Sequence, residues 1–179
     1  MEEAHRHSDH LTVLEPPHRK VYLQALDLLT RRSYTRAELT HKLTRQGAAV
    51  ETVTLVIDRC AELGYLNDDL LGEDLVLRLF RRGFGPARMR QDLKRKRFSP
   101  SEIDRLMHRV DAASKEPAAA REALRKKAAA LEKVGDRRKR RDKAYRFLLG
   151  RGFSASTVRS AVAAFMDGEL AWDREDPIA

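Results

Sequence analysis

The chain has 179 residues, enough for one or two ordinary domains or a short array of smaller units. Hydrophobic residues make up 42%, which excludes wholesale disorder, while aromatics are 6% and Gly and Pro are sparse, a mix that favours helix over sheet. A net charge of +9 with a pI near 10 suits nucleic acid or another acidic partner, and the single cysteine, Cys60, excludes an internal disulfide framework.

The opening "MEEAHRHSDH" has no apolar signal-peptide core, and no apolar run approaches the roughly 20 residues that cross a bilayer. The chain is therefore expected to be soluble and cytoplasmic, with no membrane partner. His5, His7, Asp9 and His10 can be drawn as a metal cluster. They stand in an unpatterned polar stretch, so residues 1–18 read as a flexible tail.

Nine short helices are expected, at about 19–32, 35–46, 50–63, 67–82, 85–96, 100–112, 117–133, 136–150 and 154–166. The second has Thr35 and Glu38 at capping-box spacing, Leu39 and Leu43 on one face, and Gly47 as its stop. In the third, Cys60 lies on the apolar stripe without a CxxC partner and reads as packing, not as a nucleophile. At the start of the fourth, "NDDLLGED" offers Asn67 or Asp68 as a cap, with first-turn acids that complement the helix dipole. A magnesium-type site on Asp68, Asp69, Glu73 and Asp74, and with it a metal hydrolase, is the competing reading of that stretch. Gly85 and Pro86 open the fifth helix; Ser99, Pro100 and Glu102 open the sixth with a capping box. "RRGFGPAR" lacks the Lys-Ser/Thr ending of a Walker motif, and His18, His41 and His108 show no triad spacing. No catalytic residue, metal or cofactor is expected.

Two basic concentrations stand out. One surrounds the junction of the fourth and fifth helices, with Arg81, Arg82, Arg88, Arg90, Lys94 and Arg95 against a single Asp92. Acids at i, i+4 spacing are scarce there, which favours a binding face over a solvated one. The other, Arg137, Arg138, Arg140 and Arg141, crowds the start of the eighth helix, where cations oppose the dipole. Without stacking aromatics or a recognition helix, backbone-type contacts with nucleic acid remain open, while sequence-specific reading is not expected.

The nine helices group into threes. Aligning 48–60, 98–110 and 153–165 superimposes Val53, Ile103 and Val158; Val56, Leu106 and Ala161; Ile57, Met107 and Val162; and Cys60, Val110 and Phe165. Each copy has the i, i+3, i+4, i+7 spacing of one amphipathic stripe. The expected fold is all-α, with three tandem three-helix repeats at 19–66, 67–113 (the basic one) and 114–167 in an elongated array, followed by a tail at 168–179.

"LLTRRSYTRAEL", "KLTRQG", "LGYLND", "RRGFGPARMRQDLKRK" and "FLLGRGFS", in this order over about 19–167, resemble the RecX family of bacterial regulators. Two departures are visible: "DLLGEDL", with Leu71 and Gly72, stands where the family usually has an aromatic within the helix, and Arg97 stands where a glycine commonly closes the fifth helix. The resemblance implies a non-enzymatic modulator, chiefly an inhibitor. It would bind as a monomer in the groove of the RecA–single-stranded DNA filament, restraining ATP hydrolysis, strand exchange and co-protease activity in recombination and the SOS response. The basic residues named above would then meet acidic filament surface. Direct contact with single- or double-stranded DNA is left open. The alternative is a non-specific nucleic-acid-binding protein that acts by occupying DNA.

Overall fold

The computed structural model describes residues 16–168, and every regular element among them is helical. The ten helices are α1 (Pro16–Arg31), α2 (Arg36–Arg45), α3 (Val50–Glu62), α4 (Asp68–Arg81), α5 (Pro86–Arg95), α6 (Pro100–Arg109), α7 (Ala112–Arg125), α8 (Ala128–Glu132), α9 (Arg137–Gly150) and α10 (Ala155–Met166). The two tails expected at the ends fall almost wholly outside the described residues, as does the histidine cluster. Eight of the nine expected helices lie within three residues of their expected bounds; the remaining one, the seventh at 117–133, is two helices, α7 and α8. Pro117 reads as a helix start, yet it sits in the sixth position of α7, after an N-cap at Asp111 in the left-handed region (φ 51°). The chain then breaks at Lys126 and Lys127, where the Lys127 N–H closes onto the Leu124 carbonyl at 2.9 Å. No Gly, Pro or β-branched residue marks that break.

The described chain forms two compact units. The first holds 16–71 together with Lys96–Phe98. Its core is the predicted stripe of α3 (Val53, Val56, Ile57 and Cys60) packed with Tyr22, Ala25, Leu39 and Leu43. A lone helix of this length is marginal in water, so these buried faces supply most of its stability. The capping box at α2 is formed: buried Thr35 accepts from the Glu38 N–H at 3.0 Å and Glu38 from the Thr35 N–H at 3.1 Å. The same hydroxyl donates to the Lys96 carbonyl at 2.7 Å, and the Lys96 ammonium reaches Glu38 at 3.1 Å. One short polar residue thus satisfies a helix terminus and fixes a segment sixty residues away.

Cys60 is fully buried, as its stripe position predicts, and burial pushes its thiol from 9.0 up to about 11. Burial, then the neighbouring Cys60 and Tyr65, raises the Tyr22 phenol from 10.0 to about 12. Both groups are neutral when protonated and lose the proton more readily in the unfolded chain. Their contribution is therefore fully present below about pH 9 and lost as pH rises from 9 to 12. The native protein is expected to leave Cys60 unreacted with a thiol reagent at neutral pH and to expose one reactive thiol in denaturant. Rapid modification without denaturant would contradict this packing.

Arg97, in the first unit, adopts φ 62°, the left-handed region that costs an L-residue roughly 1–2 kcal/mol. This is the position where the resembled family commonly has glycine. Arg97→Gly is expected to stabilise the chain by about 0.5–1 kcal/mol, because the relief of strain exceeds the added unfolded-state freedom. A higher urea midpoint is the readout; a lower one would show that the arginine side chain contributes more than its backbone costs.

The second unit holds 72–95 and 99–168. In α6, Ile103, Leu106 and Met107 are buried, and in α10 Val158, Ala161 and Val162 are buried, three of the four stripe positions in each. Val110 and Phe165, at the fourth position, are half-buried. Around α10 are packed Ala120, Ala123 and Leu124 of α7, Leu131 of α8, Ala144 and Leu148 of α9, and Phe153.

Candidate partner-binding surface

All ten predicted cations belong to the second unit, and their surroundings divide them. The first group sits where α4 ends. Gly83, at φ +71°, turns the chain out of α4, and the backbone then meets the α9–α10 turn. The Gly85 N–H donates to the Arg151 carbonyl at 2.8 Å and the Ala87 N–H to the Gly152 carbonyl at 3.0 Å. A Cβ on Gly85 would lie 2.4 Å from the Gly152 oxygen, and one on Gly152 would lie 2.5 Å from the Arg88 nitrogen. Only two glycines let these main chains approach so closely.

Above this joint stands an arginine–aromatic cluster. The guanidinium carbons of Arg82, Arg88 and Arg151 lie 5.5, 5.5 and 5.0 Å from the centre of the Phe84 ring, and Arg151 is also 4.8 Å from Phe147. These are cation–π distances. Arg151 further donates through Nη1 to the carbonyls of Arg82 (2.5 Å) and Gly83 (3.2 Å). Arg151 is absent from the residues picked out by charge density, because it stands alone between two glycines. A signal was available: "RGFG" at 82–85 and "RGFS" at 151–154 repeat the same arginine-glycine-phenylalanine step at a helix end.

The second group lies on α5, and here the structure corrects the count of free charges. Arg88 and Arg95, where acidic partners are expected to be scarce, both reach Asp92, at 3.1 Å each, and Arg90 reaches Asp104 of α6 at 2.5 Å. One acid placed between two arginines along the helix serves both. Lys94 is exposed. The third group opens α9, whose N-cap Asp136 accepts from the Lys139 N–H at 2.9 Å. Arg137 faces Asp167 at 3.5 Å, Arg141 faces Asp142 at 3.7 Å, and Arg140 is half-buried, donating to the Val134 carbonyl at 3.0 Å. Arg138 is exposed. Of the ten predicted cations, Arg81, Arg82, Lys94 and Arg138 are exposed and have no ion pair among the described residues, which makes them the members of that set most available to a partner. The exposed pairs are worth at most about 1 kcal/mol each, so an incoming carboxylate or phosphate can replace the internal acid at little cost.

The acids near the start of α4 are also engaged. Asn67 caps the helix by accepting from the Leu70 N–H at 3.0 Å. Asp68 accepts from the Arg36 N–H at 2.9 and 3.2 Å, Glu73 pairs with Arg109, and Asp74 pairs with Arg78 at 3.1 Å. Among the described residues no three His, Cys, Asp or Glu side chains converge as metal ligands, and no helix is long and apolar enough to cross a membrane.

Comparison with known proteins decides the family. A family described as "RecX, first three-helix domain" matches residues 22–60, and "RecX, third three-helix domain" matches 115–162. The regulatory protein RecX of Acidithiobacillus ferrooxidans is 35% identical over 157 residues, covering 83% of this chain and 93% of that protein. The chain belongs to the RecX family. Another RecX relative, from Pseudomonas fluorescens, is 40% identical over 80 residues, 45% of this chain and 52% of its own length. Two solved RecX structures share the fold. One has a TM-score of 0.66 at 21% identity, over 81% of this chain and 72% of that one; the other, from Lactobacillus salivarius, has 0.65 at 19%, over 85% and 98%.

Proposed function

We propose that this RecX-family chain is a non-enzymatic modulator, chiefly an inhibitor, of the RecA recombinase. In this reading it binds in the groove of the RecA–single-stranded DNA filament and restrains ATP hydrolysis, strand exchange and co-protease activity in the cytoplasm. What carries the reading is the likeness to a protein named RecX over 83% of the chain. It is supported by the exposed, unpaired cations Arg81, Arg82, Lys94 and Arg138 of the second unit, which suit acidic protein surface or phosphate.

Purified protein is expected to lower the single-stranded-DNA-dependent ATPase of the cognate recombinase at less than one molecule per protomer. An unaffected ATPase over that range rejects the proposal. Occupation of DNA itself is separated by salt. A bare-strand binder would hold DNA tightly in the absence of recombinase, with log affinity falling about 0.7 per neutralised phosphate for each unit of log salt. Weak binding to bare strands beside tight binding to the filament favours the inhibitor.

A further inference from the structure

The second unit contains a groove of about 480 Å³ between the end of α4, the later half of α7 with the turn after it, and the end of α9. Its floor is apolar: Phe80 and Phe147 are half-buried, and Ala119 and Ala123 of α7 bring only methyl groups to it. A concave apolar surface of this size, ringed by polar groups, is of the kind that seats a partner's anchoring side chain.

The rim is cationic. Arg81, Arg82, Lys126, Lys127 and Arg151 border the groove against one acid, Glu122. That acid is already engaged, since Arg125 holds its two oxygens at 2.6 and 2.8 Å and Lys126 stands 3.5 Å away. Arg81, Arg82 and Lys127 are exposed and have no ion pair among the described residues. Arg151 is held in place by neutral groups: its Nη1 donates to the carbonyls of Arg82 and Gly83, and its guanidinium lies 4.8 Å from the centre of the Phe147 ring. A guanidinium fixed in this way meets an incoming carboxylate with little further loss of side-chain freedom.

Floor and rim make different demands on one occupant. A purely polar segment would leave the apolar floor without a partner, and a purely apolar one would cover cations and leave them unpaired, which is costly. An acidic segment with a large apolar side chain meets both demands. A nucleic-acid strand meets only the rim. Bases bind such surfaces by stacking on aromatic faces, but Arg151 already lies over Phe147, and alanine methyls offer no stacking plane.

We propose that this groove docks an acidic peptide segment of a protein partner, with one large apolar side chain on the Phe80–Phe147 floor and flanking carboxylates on Arg81, Arg82 and Lys127. The inference stands apart from the recombinase reading. Peptide binding beside an unaffected recombinase ATPase would reject that reading and keep this one, and the reverse result would do the opposite.

The test uses the full chain and a fluorescein-labelled synthetic peptide of aspartate and glutamate around a central tryptophan, followed by fluorescence anisotropy. Saturable binding is expected, weakened at least about tenfold when the tryptophan is replaced by alanine or the acids by their amides. Ala118 is exposed on α7 at the edge of the groove, so Ala118→Trp should fill the groove without entering the core and abolish binding at an unchanged helical signal. Arg81→Glu with Lys127→Glu should weaken binding at least about tenfold, and a peptide with lysine in place of the acids should prefer that variant to the parent. The charge pair keeps the test decisive should Ala118→Trp unfold the unit, since both side chains are exposed. Absence of saturable binding, or binding that ignores the tryptophan or the charge pair, overturns the proposal. Tighter binding of an oligothymidylate that Ala118→Trp removes overturns it in favour of single-stranded DNA. Self-association in sedimentation that Ala118→Trp removes overturns it as well, by making a second copy of the chain the occupant.

Discussion

Gly85→Ala is expected to destabilise the second unit by about 3–5 kcal/mol, a large share of the roughly 5–15 kcal/mol that holds a domain together. The new methyl would sit 2.4 Å from the Gly152 oxygen and 2.5 Å from the Phe153 nitrogen, against the main chain of one peptide group. No flexible side chain is there to yield. Relief requires the two main chains to part, which sacrifices the 2.8 and 3.0 Å hydrogen bonds to Arg151 and Gly152. Overpacking contributes about 1–3 kcal/mol and each lost hydrogen bond about 1 kcal/mol. Gly64 is the comparison. It has φ +78° but nothing within 4 Å of its added Cβ, so Gly64→Ala in the first unit is expected to cost only about 1 kcal/mol of backbone strain. Urea unfolding followed by far-ultraviolet circular dichroism separates the two. Equal shifts in midpoint would show that the joint between the turns yields.

The second large effect concerns binding. Reversing Arg81, Lys94 and Arg138 together to glutamate is expected to weaken inhibition of the recombinase ATPase by at least about tenfold, or 1.4 kcal/mol, with the helical signal and unfolding midpoint unchanged. These three are chosen because they are exposed and have no ion pair among the described residues. Arg88 is a poor choice although it lies in the densest basic stretch. It is half-buried, holds Asp92 at 3.1 Å and borders the Phe84 ring, so Arg88→Glu would place like charges four residues apart and loosen the cluster. A triple variant that inhibits as well as the parent would remove these cations from the contact and shift attention to the paired arginines.

The helices were legible because each carries its own punctuation. Thr35 with Glu38 and Ser99 with Glu102 form the boxes their spacing announces, and Asp136 and Ser154 cap α9 and α10. The stripes were legible for a similar reason: three of four aligned positions in α6 and α10, and all four in α3, are buried. What stayed hidden depends on encounters between distant segments. The break after Arg125 follows no local signal, since alanine, lysine and leucine run through it. The sharing of Asp92 depends on two side-chain conformations, and local acid counting misses it. Arg151 was passed over because one arginine between glycines adds little to charge density, although its place against Phe84 makes it the clasp of the cluster.

The joint at Gly85 and Gly152 is main chain against main chain, so its two hydrogen bonds involve no side chain. Exposed cations nearby that make no contact across the joint, such as Arg81, can be changed without touching those two bonds, whereas Arg88 and Arg151, whose side chains also brace the turns, cannot.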